Sequence, residues 1–92
     1  MEIQHKEGEN GGRFFIENEG TRIATIAYTR QANIITIEHT EVDPSLRGKN
    51  IGYQLVQKTA EFARENGLKV SPICPFAMKQ FQKKKDWQDF MV

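Results

Sequence analysis

The hydrophobic period of this chain changes at Asp43, and that change limits the folds open to it. Before that point the pattern repeats every two residues, the period of a strand; from Ile51 it repeats at the helical spacing of about 3.6. Within residues 21–29, Ile23, Thr25, Ala27 and Thr29 fall on one side, and Ala24, Ile26 and Tyr28 on the other. Residues 13–17 read as a strand closed by the turn Asn18-Glu19-Gly20, and Ile34 to Val42, rich in β-branched residues, reads as another. Residues 3–6 are a shorter candidate, followed by a turn cluster of Gly8, Asn10, Gly11 and Gly12. Gln31-Ala32-Asn33 is a tight connection. Short turns between consecutive strands predict antiparallel neighbours in a meander.

Residues 43–50 form a polar loop with a proline, a glycine and two cations. Beyond it Gly52, Leu55, Val56, Thr59, Ala60, Phe62 and Ala63 make one stripe, while Gln57, Lys58, Glu61, Arg64 and Glu65 make the opposite one. Asn66-Gly67 is a helix stop, with Gly67 suited to the left-handed position. Residues 68–73 read as a strand, and the strand–loop–helix–strand order predicts that it runs parallel to Ile34–Val42 through a right-handed crossover. Pro72 cannot donate to a ladder, so pairing should lapse there. Pro75 suits the first position of a second helix and puts Cys74 at its N-cap. Ala77, Met78, Phe81 and Lys84 share a face of that helix, and Trp87 and Phe90 should pack back on it. The expected fold is α/β: a twisted mixed sheet, antiparallel at its start, with two helices after it. At 92 residues the chain is expected to be one domain, 1–92.

Charge and cysteine usage narrow the function classes. Thirteen basic and twelve acidic residues give a net charge of +1, whereas a nucleic-acid binder usually carries a larger positive excess. One cysteine excludes an internal disulfide framework and a multi-cysteine metal site. No apolar run is long enough to span a bilayer, and residues 1–6 lack the apolar core of a signal peptide. The expectation is a cytoplasmic, reduced protein, taken as a monomer, with no nucleic-acid or membrane partner.

The strongest chemical signal is the loop entering the first helix. Backbone N–H groups at a helix start lack intrahelical partners, and the helix dipole adds positive potential there. Gly48 and Gly52 let the backbone approach a ligand, and Arg47 and Lys49 add charge. The pattern suits a phosphate or pyrophosphate. It is not a Walker loop, because the closing Gly-Lys-Ser/Thr is missing, and its spacing is not that of a dinucleotide fingerprint. The plainer alternative is a basic loop ahead of an ordinary amphipathic helix.

The segment Val42-Asp43-Pro44-Ser45-Leu46-Arg47-Gly48-Lys49-Asn50-Ile51-Gly52-Tyr53-Gln54-Leu55 resembles the acyl-coenzyme A motif of the GNAT acetyltransferase superfamily. That motif runs Val-x-Pro and then Arg/Gln-x-x-Gly-x-Gly/Ala at a helix start. Arg47 and Gly52 match it, and Asn50 stands where the middle glycine is usual; Asn tolerates positive φ better than most residues. The resemblance implies an acetyl-CoA-binding domain of a minimal kind. The pyrophosphate would lie on Leu46, Arg47, Gly48, Lys49, Asn50, Ile51, Gly52 and Tyr53, and the pantetheine arm on backbone groups near Glu41 and Val42. Two departures stand out. Only residues 8–12 occupy the place of the helices that larger members insert between their first two strands. The tyrosine that often protonates the leaving thiolate is replaced by Phe81 or Gln82.

Three residues are candidates for chemistry beyond binding. Cys74 at a helix N-cap sits in positive potential that favours a thiolate, and could accept the acetyl group covalently. The alternative is a buried, inert cysteine. His39 and Glu41, two apart on a strand, share a face, and either could act as a general base toward an amine. They could equally be a polar pair on a sheet surface. His5 and the run Lys83-Lys84-Lys85 are expected to face solvent, and Met78, Phe81 and Trp87 to be core. Three functions follow: an acetyl-CoA-dependent N-acetyltransferase acting on an unidentified small or protein amine, a non-catalytic acetyl-CoA binder or carrier, and an adaptor using the basic C-terminal run.

Overall fold

A computed structural model describes residues 2–92 of the chain. Five strands form one sheet whose spatial order is the order in sequence: β1 (Gln4–Glu7), β2 (Gly11–Asn18), β3 (Thr21–Gln31), β4 (Ile34–Val42) and β5 (Lys69–Pro72). The first three pairings are antiparallel and the β4–β5 pairing is parallel. The expected mixed sheet is therefore present, and the helix α1 (Ile51–Glu65) is its crossover. Glu19 and Gly20 join β2 to β3 with φ of 53° and 79°, both in the left-handed region. A two-residue turn of that kind matches the right-handed twist of the strands it joins.

Alternation sorts the sheet's two faces. Ile16, Ala24, Ile26, Tyr28, Ile35 and Ile37 point to the helical side and are buried. On α1 the stripe Ile51, Leu55, Val56, Thr59, Ala60 and Ala63 meets them. Burying each large aliphatic side chain stabilises the fold by about 1.5–3 kcal/mol relative to leaving it in water. Thr59 is the buried polar member, and its hydroxyl donates to the Leu55 carbonyl at 2.9 Å. The helix ends in a Schellman motif: Gly67 lies at φ 65°, and the Leu68 N–H reaches the Ala63 carbonyl at 2.8 Å.

A second helix, α2 (Pro75–Lys83), follows β5, with Pro75 in its first turn and Cys74 at its N-cap. A 3₁₀ segment, Lys85–Phe90, brings Trp87 and Phe90 back into the core against Phe81. The basic run does not all face solvent. Lys84 is half-buried, its ammonium 5.8 Å from the Tyr53 ring centroid and 5.6 Å from that of Trp87. His5 is exposed, as expected, yet one side of it is engaged. Its ring stacks on Phe14 at 4.0 Å, and Nε2 lies 2.7 Å from the Tyr28 hydroxyl, which donates to Glu7. These contacts tie edge strand β1 to the core.

The glycine cluster differs as well. Gly11 and Gly12 belong to β2, and only Gly8 to Asn10 make the connection. Their lack of a side chain serves strand packing: a Cβ on Gly11 would lie 2.3 Å from the Tyr28 carbonyl oxygen and 2.8 Å from Thr29 Cα. Both are backbone atoms of β3 and cannot rotate away. Gly11→Ala should therefore lower stability by roughly 1–3 kcal/mol, the usual range for overpacking. A urea midpoint unchanged from wild type would show that the β2–β3 pairing is free to slide.

Candidate functional site

The site begins where β5 stops. Its ladder with β4 covers Ile34 to Ile37 and ends at Pro72, which has no N–H. β4 runs on to Val42 with β3 on one side and no strand on the other. The Asp43 N–H donates to the Ile23 carbonyl at 2.8 Å, which fixes the alternation along this stretch. Residues 43, 41 and 39 turn their backbone groups toward β3, and Val42 and Thr40 turn theirs to the free edge. The backbone of Glu41 is thus spent on β3. The free-edge position next to Val42 is Thr40, which the sequence reading did not single out.

Beyond Val42 the chain makes a 3₁₀ turn, Pro44–Leu46. Asp43 Oδ1 accepts the Ser45 N–H at 2.9 Å, and these bonds from Ser45 hold the Asp43 carboxyl below its ordinary range. The N–H groups of Arg47 and Lys49 are used inside the loop, on the carbonyls of Pro44 and Leu46. Asn50 then takes a left-handed conformation, φ 60° and ψ 26°, and its side chain makes no cap. The N–H groups of Gly48, Asn50, Ile51, Gly52 and Tyr53 are left without a backbone partner among the described residues. They lie together at the start of a helix of 15 residues, where the dipole adds positive potential.

These groups border a cleft of about 370 Å³. Its strand wall is Thr40 and Val42; its helical wall is Leu46, Arg47, Ile51 and Tyr53; Phe76 of α2 closes one side. Lys49 is exposed and is not on the lining, so it adds charge at a distance. Gly52 has a role that spacing did not reveal. A Cβ there would fall 2.9 Å from the Phe76 ring, so the missing side chain makes room for α2.

Cys74 stands at the inner end of this free edge. Its N–H donates to the Ile37 carbonyl at 3.0 Å, and its thiol lies 3.5 Å from the Thr40 hydroxyl. The residue is 7% exposed. Burial pushes the thiol's pKa up, but hydrogen bonds from Thr40 and from the backbone of Ala77 and Phe76 at the α2 start outweigh it. The net direction is down, toward the thiolate.

His39 and Glu41 are hydrogen-bonded to each other, both largely exposed, and lie on the opposite face of β4 from Thr40. They line a second cavity with Val42, which borders both spaces. Cys74 is not on the cleft lining itself but touches Thr40, which is, and the His39–Glu41 pair lies across the strand from both. At the α2 position noted for its missing tyrosine, Phe81 is fully buried and Gln82 is exposed. The phenol on the cleft wall is that of Tyr53, which also stacks on Trp87.

A helix start with unpartnered amides lies beside an open strand edge, and near it a thiol is held below its ordinary pKa. The sequence model of the GCN5-related N-acetyl-transferase family matches residues 13–90. A GCN5-like protein from Staphylococcus aureus, solved by NMR, superposes with a TM-score of 0.74 at 36% identity, covering 97% of this chain and 87% of that one. The PaiA N-acetyltransferase of Thermoplasma acidophilum, solved with coenzyme A, has the same fold at a TM-score of 0.56 and 19% identity, over 64% of this chain and 37% of that one. A streptothricin acetyltransferase of Streptomyces lavendulae is 46% identical over 44 residues, which are 48% of this chain and 23% of that protein. The chain therefore spans less than a quarter of the length of that curated relative.

Asn50 allows a direct check on the loop. A residue other than Gly pays about 1–2 kcal/mol in the left-handed region, with Asn penalised less than most. Since the Asn50 side chain caps nothing, Asn50→Gly should leave stability and ligand affinity unchanged or slightly raised, and Asn50→Ala should destabilise by about 1 kcal/mol. Thermal melts of the two variants decide it. A large affinity loss in the folded Gly variant would mean that the Asn50 amide itself touches the ligand.

Proposed function

The chain belongs to the GCN5-related N-acetyltransferase family, and from that premise we propose that it takes acetyl-CoA into the cleft at the start of α1 and transfers the acetyl group to an amine. The observation that carries this reading is the set of unpartnered N–H groups at Gly48, Asn50, Ile51, Gly52 and Tyr53, set beside the free edge of β4. A pyrophosphate needs several convergent donors, and these supply them. The Arg47 side chain on the cleft wall adds a charged donor. A pantetheine arm carries amides that pair with a strand edge, and Thr40 and Val42 offer theirs. Residues 1–92 would work as one acetyl-CoA-binding unit. The coenzyme A complex of the Thermoplasma relative is consistent with this assignment.

Acetyl-CoA supplies an activated thioester; the remaining chemistry belongs to the chain. Cys74 holds a thiol disposed to ionise at the inner end of the edge. In this reading Sγ accepts the acetyl group as the thioester C–S bond breaks, and an amine then takes it, restoring the thiol. His39 or Glu41 takes the proton that the attacking amine gives up. A second reading, binding without turnover, is favoured by one observation: the α2 position of the usual tyrosine acid is the buried Phe81.

Four measurements test the assignment. Acetyl-CoA should shift the amides of Gly48 and Asn50 to Tyr53 first in an NMR titration, and Arg47→Ala should weaken binding by roughly 1.5–3 kcal/mol. Shifts confined to Lys83–Lys85 would remove the pyrophosphate site and favour the adaptor reading. At neutral pH a lowered pKa means a larger thiolate fraction than in a free cysteine, so iodoacetamide should modify Cys74, and coenzyme A should protect it. Incubation with acetyl-CoA should add one acetyl mass to the wild type and none to Cys74→Ala. No adduct together with steady product formation would assign the transfer to direct attack by the amine. Neither adduct nor product with any amine would leave binding alone.

A further inference from the structure

On the sheet face away from α1 lies a trough of about 630 Å³, within the usual range for small-molecule sites. Its floor is Thr25 and Ala27 of β3, and its two long sides carry opposite charge. Arg13 and Arg22 stand on one side, and His39, Glu41 and Asp43 on the other. Arg13 and His39 both pair with Ala27, so their Cα atoms lie two strand spacings apart, about 10 Å. Side chains reaching inward leave room for a molecule of amino-acid size.

Three features mark this trough as built for a charged ligand. Among the described residues neither Arg13 nor Arg22 has a carboxylate within ion-pair distance, although Glu41 and Asp43 line the same space. The Arg22 guanidinium is instead laid over the Phe15 ring, 5.4 Å from its centroid, which fixes its place without neutralising it. The Thr25 hydroxyl at the floor is buried with no hydrogen-bond partner among the described residues. Val42 borders both the trough and the acetyl-CoA cleft, and no strand lies beyond it to divide them.

We propose that this trough is the acceptor site, and that the acceptor is a small amine bearing an anionic group, carboxylate or phosphate. This rests on the acetyltransferase reading above and adds the substrate class to it. Arg13 and Arg22 hold the anion, and the amine end lies toward Glu41 and His39. Glu41 attracts the ammonium form and takes a proton from it. The free amine then attacks the acetyl carbonyl carbon around the open edge of β4, its C–N bond forming as the C–S bond to the acetyl donor breaks. The leaving sulfur keeps the electron pair, and the second amine proton passes to the His39–Glu41 pair.

The test compares amines matched except for the anion. The wild-type protein is given acetyl-CoA with O-phosphoethanolamine, β-alanine or glutamate, and with ethanolamine or spermidine; N-acetyl product is read by mass. The anionic amines should react about tenfold or more faster at low concentration, the value of one charge-assisted pair. The phosphoethanolamine and β-alanine arms separate phosphate from carboxylate. Arg13→Gln and Arg22→Gln should each raise the KM of the preferred amine while acetyl-CoA affinity stays at wild type, since both lie across the sheet from its cleft. A titration with the preferred amine alone should shift the amides of Thr25, Ala27 and Glu41. Those shifts without turnover would keep the anionic-amine site and remove the transferase reading. Equal rates for phosphoethanolamine and ethanolamine, a preference for spermidine, acetylation only of peptide N-termini, or an unchanged preference in both arginine variants would overturn the proposal.

Discussion

The backbone hydrogen bond that β4 does not make governs this structure. β5 could have continued beside it, but its last paired residue is Pro72, which cannot donate, and the chain turns away into α2. The polar groups of Thr40 and Val42 are thereby left at an edge inside the fold's outline. An open edge is ordinarily a hazard, because it invites another strand. Here it is covered in part by the loop after Val42 and by Phe76, which leaves a narrow cleft rather than a pairing surface. The helix-start amides and the strand edge border one cleft, with the Cys74 thiol against Thr40 at its strand wall, because the ladder stops at residue 72.

The same strand separates two kinds of chemistry by alternation alone. Thr40 faces the cleft and touches Cys74, whereas His39 and Glu41 face the trough. A bulge at Glu38, between the pairs Ala27–His39 and Tyr28–Ile37, sets which residues fall on which side. Without it, every residue beyond position 38 would change faces relative to the core. A donor on one side and an acceptor on the other are thus compatible with a chain this short. The open trough occupies a face that the short connection at residues 8–10 leaves uncovered.

Much of this was legible in the sequence because it is local. The run of β-branched residues marked Ile34–Val42 to the residue, and Pro75 placed Cys74 at an N-cap. Gly67 and Asn50 were readable from the left-handed conformations their residue types tolerate. What stayed hidden depends on distant partners. That Gly11 and Gly12 lie in a strand follows from close approach to β3 and β1, which spacing along one segment cannot show. Lys84 looked like part of a solvated run until Tyr53 and Trp87 were seen beneath it. Whether the Glu41 or the Thr40 backbone faces the free edge is a matter of register with β3, and one residue of register reverses the answer.

Phe76 links the parts of the site mechanically. Its ring sits against the bare Cα of Gly52 in the first turn of α1, and its N–H is among those that favour the Cys74 thiolate at the start of α2. The ring is only partly covered, 39% exposed, and borders the cleft. A ligand drawing the Gly52 amide toward itself would act on the surface that positions Phe76, and through it on the first turn of the helix that carries Cys74. The glycine at position 52 therefore matters through packing: its missing side chain lets the first turn of α2, next to Cys74, approach the first turn of α1.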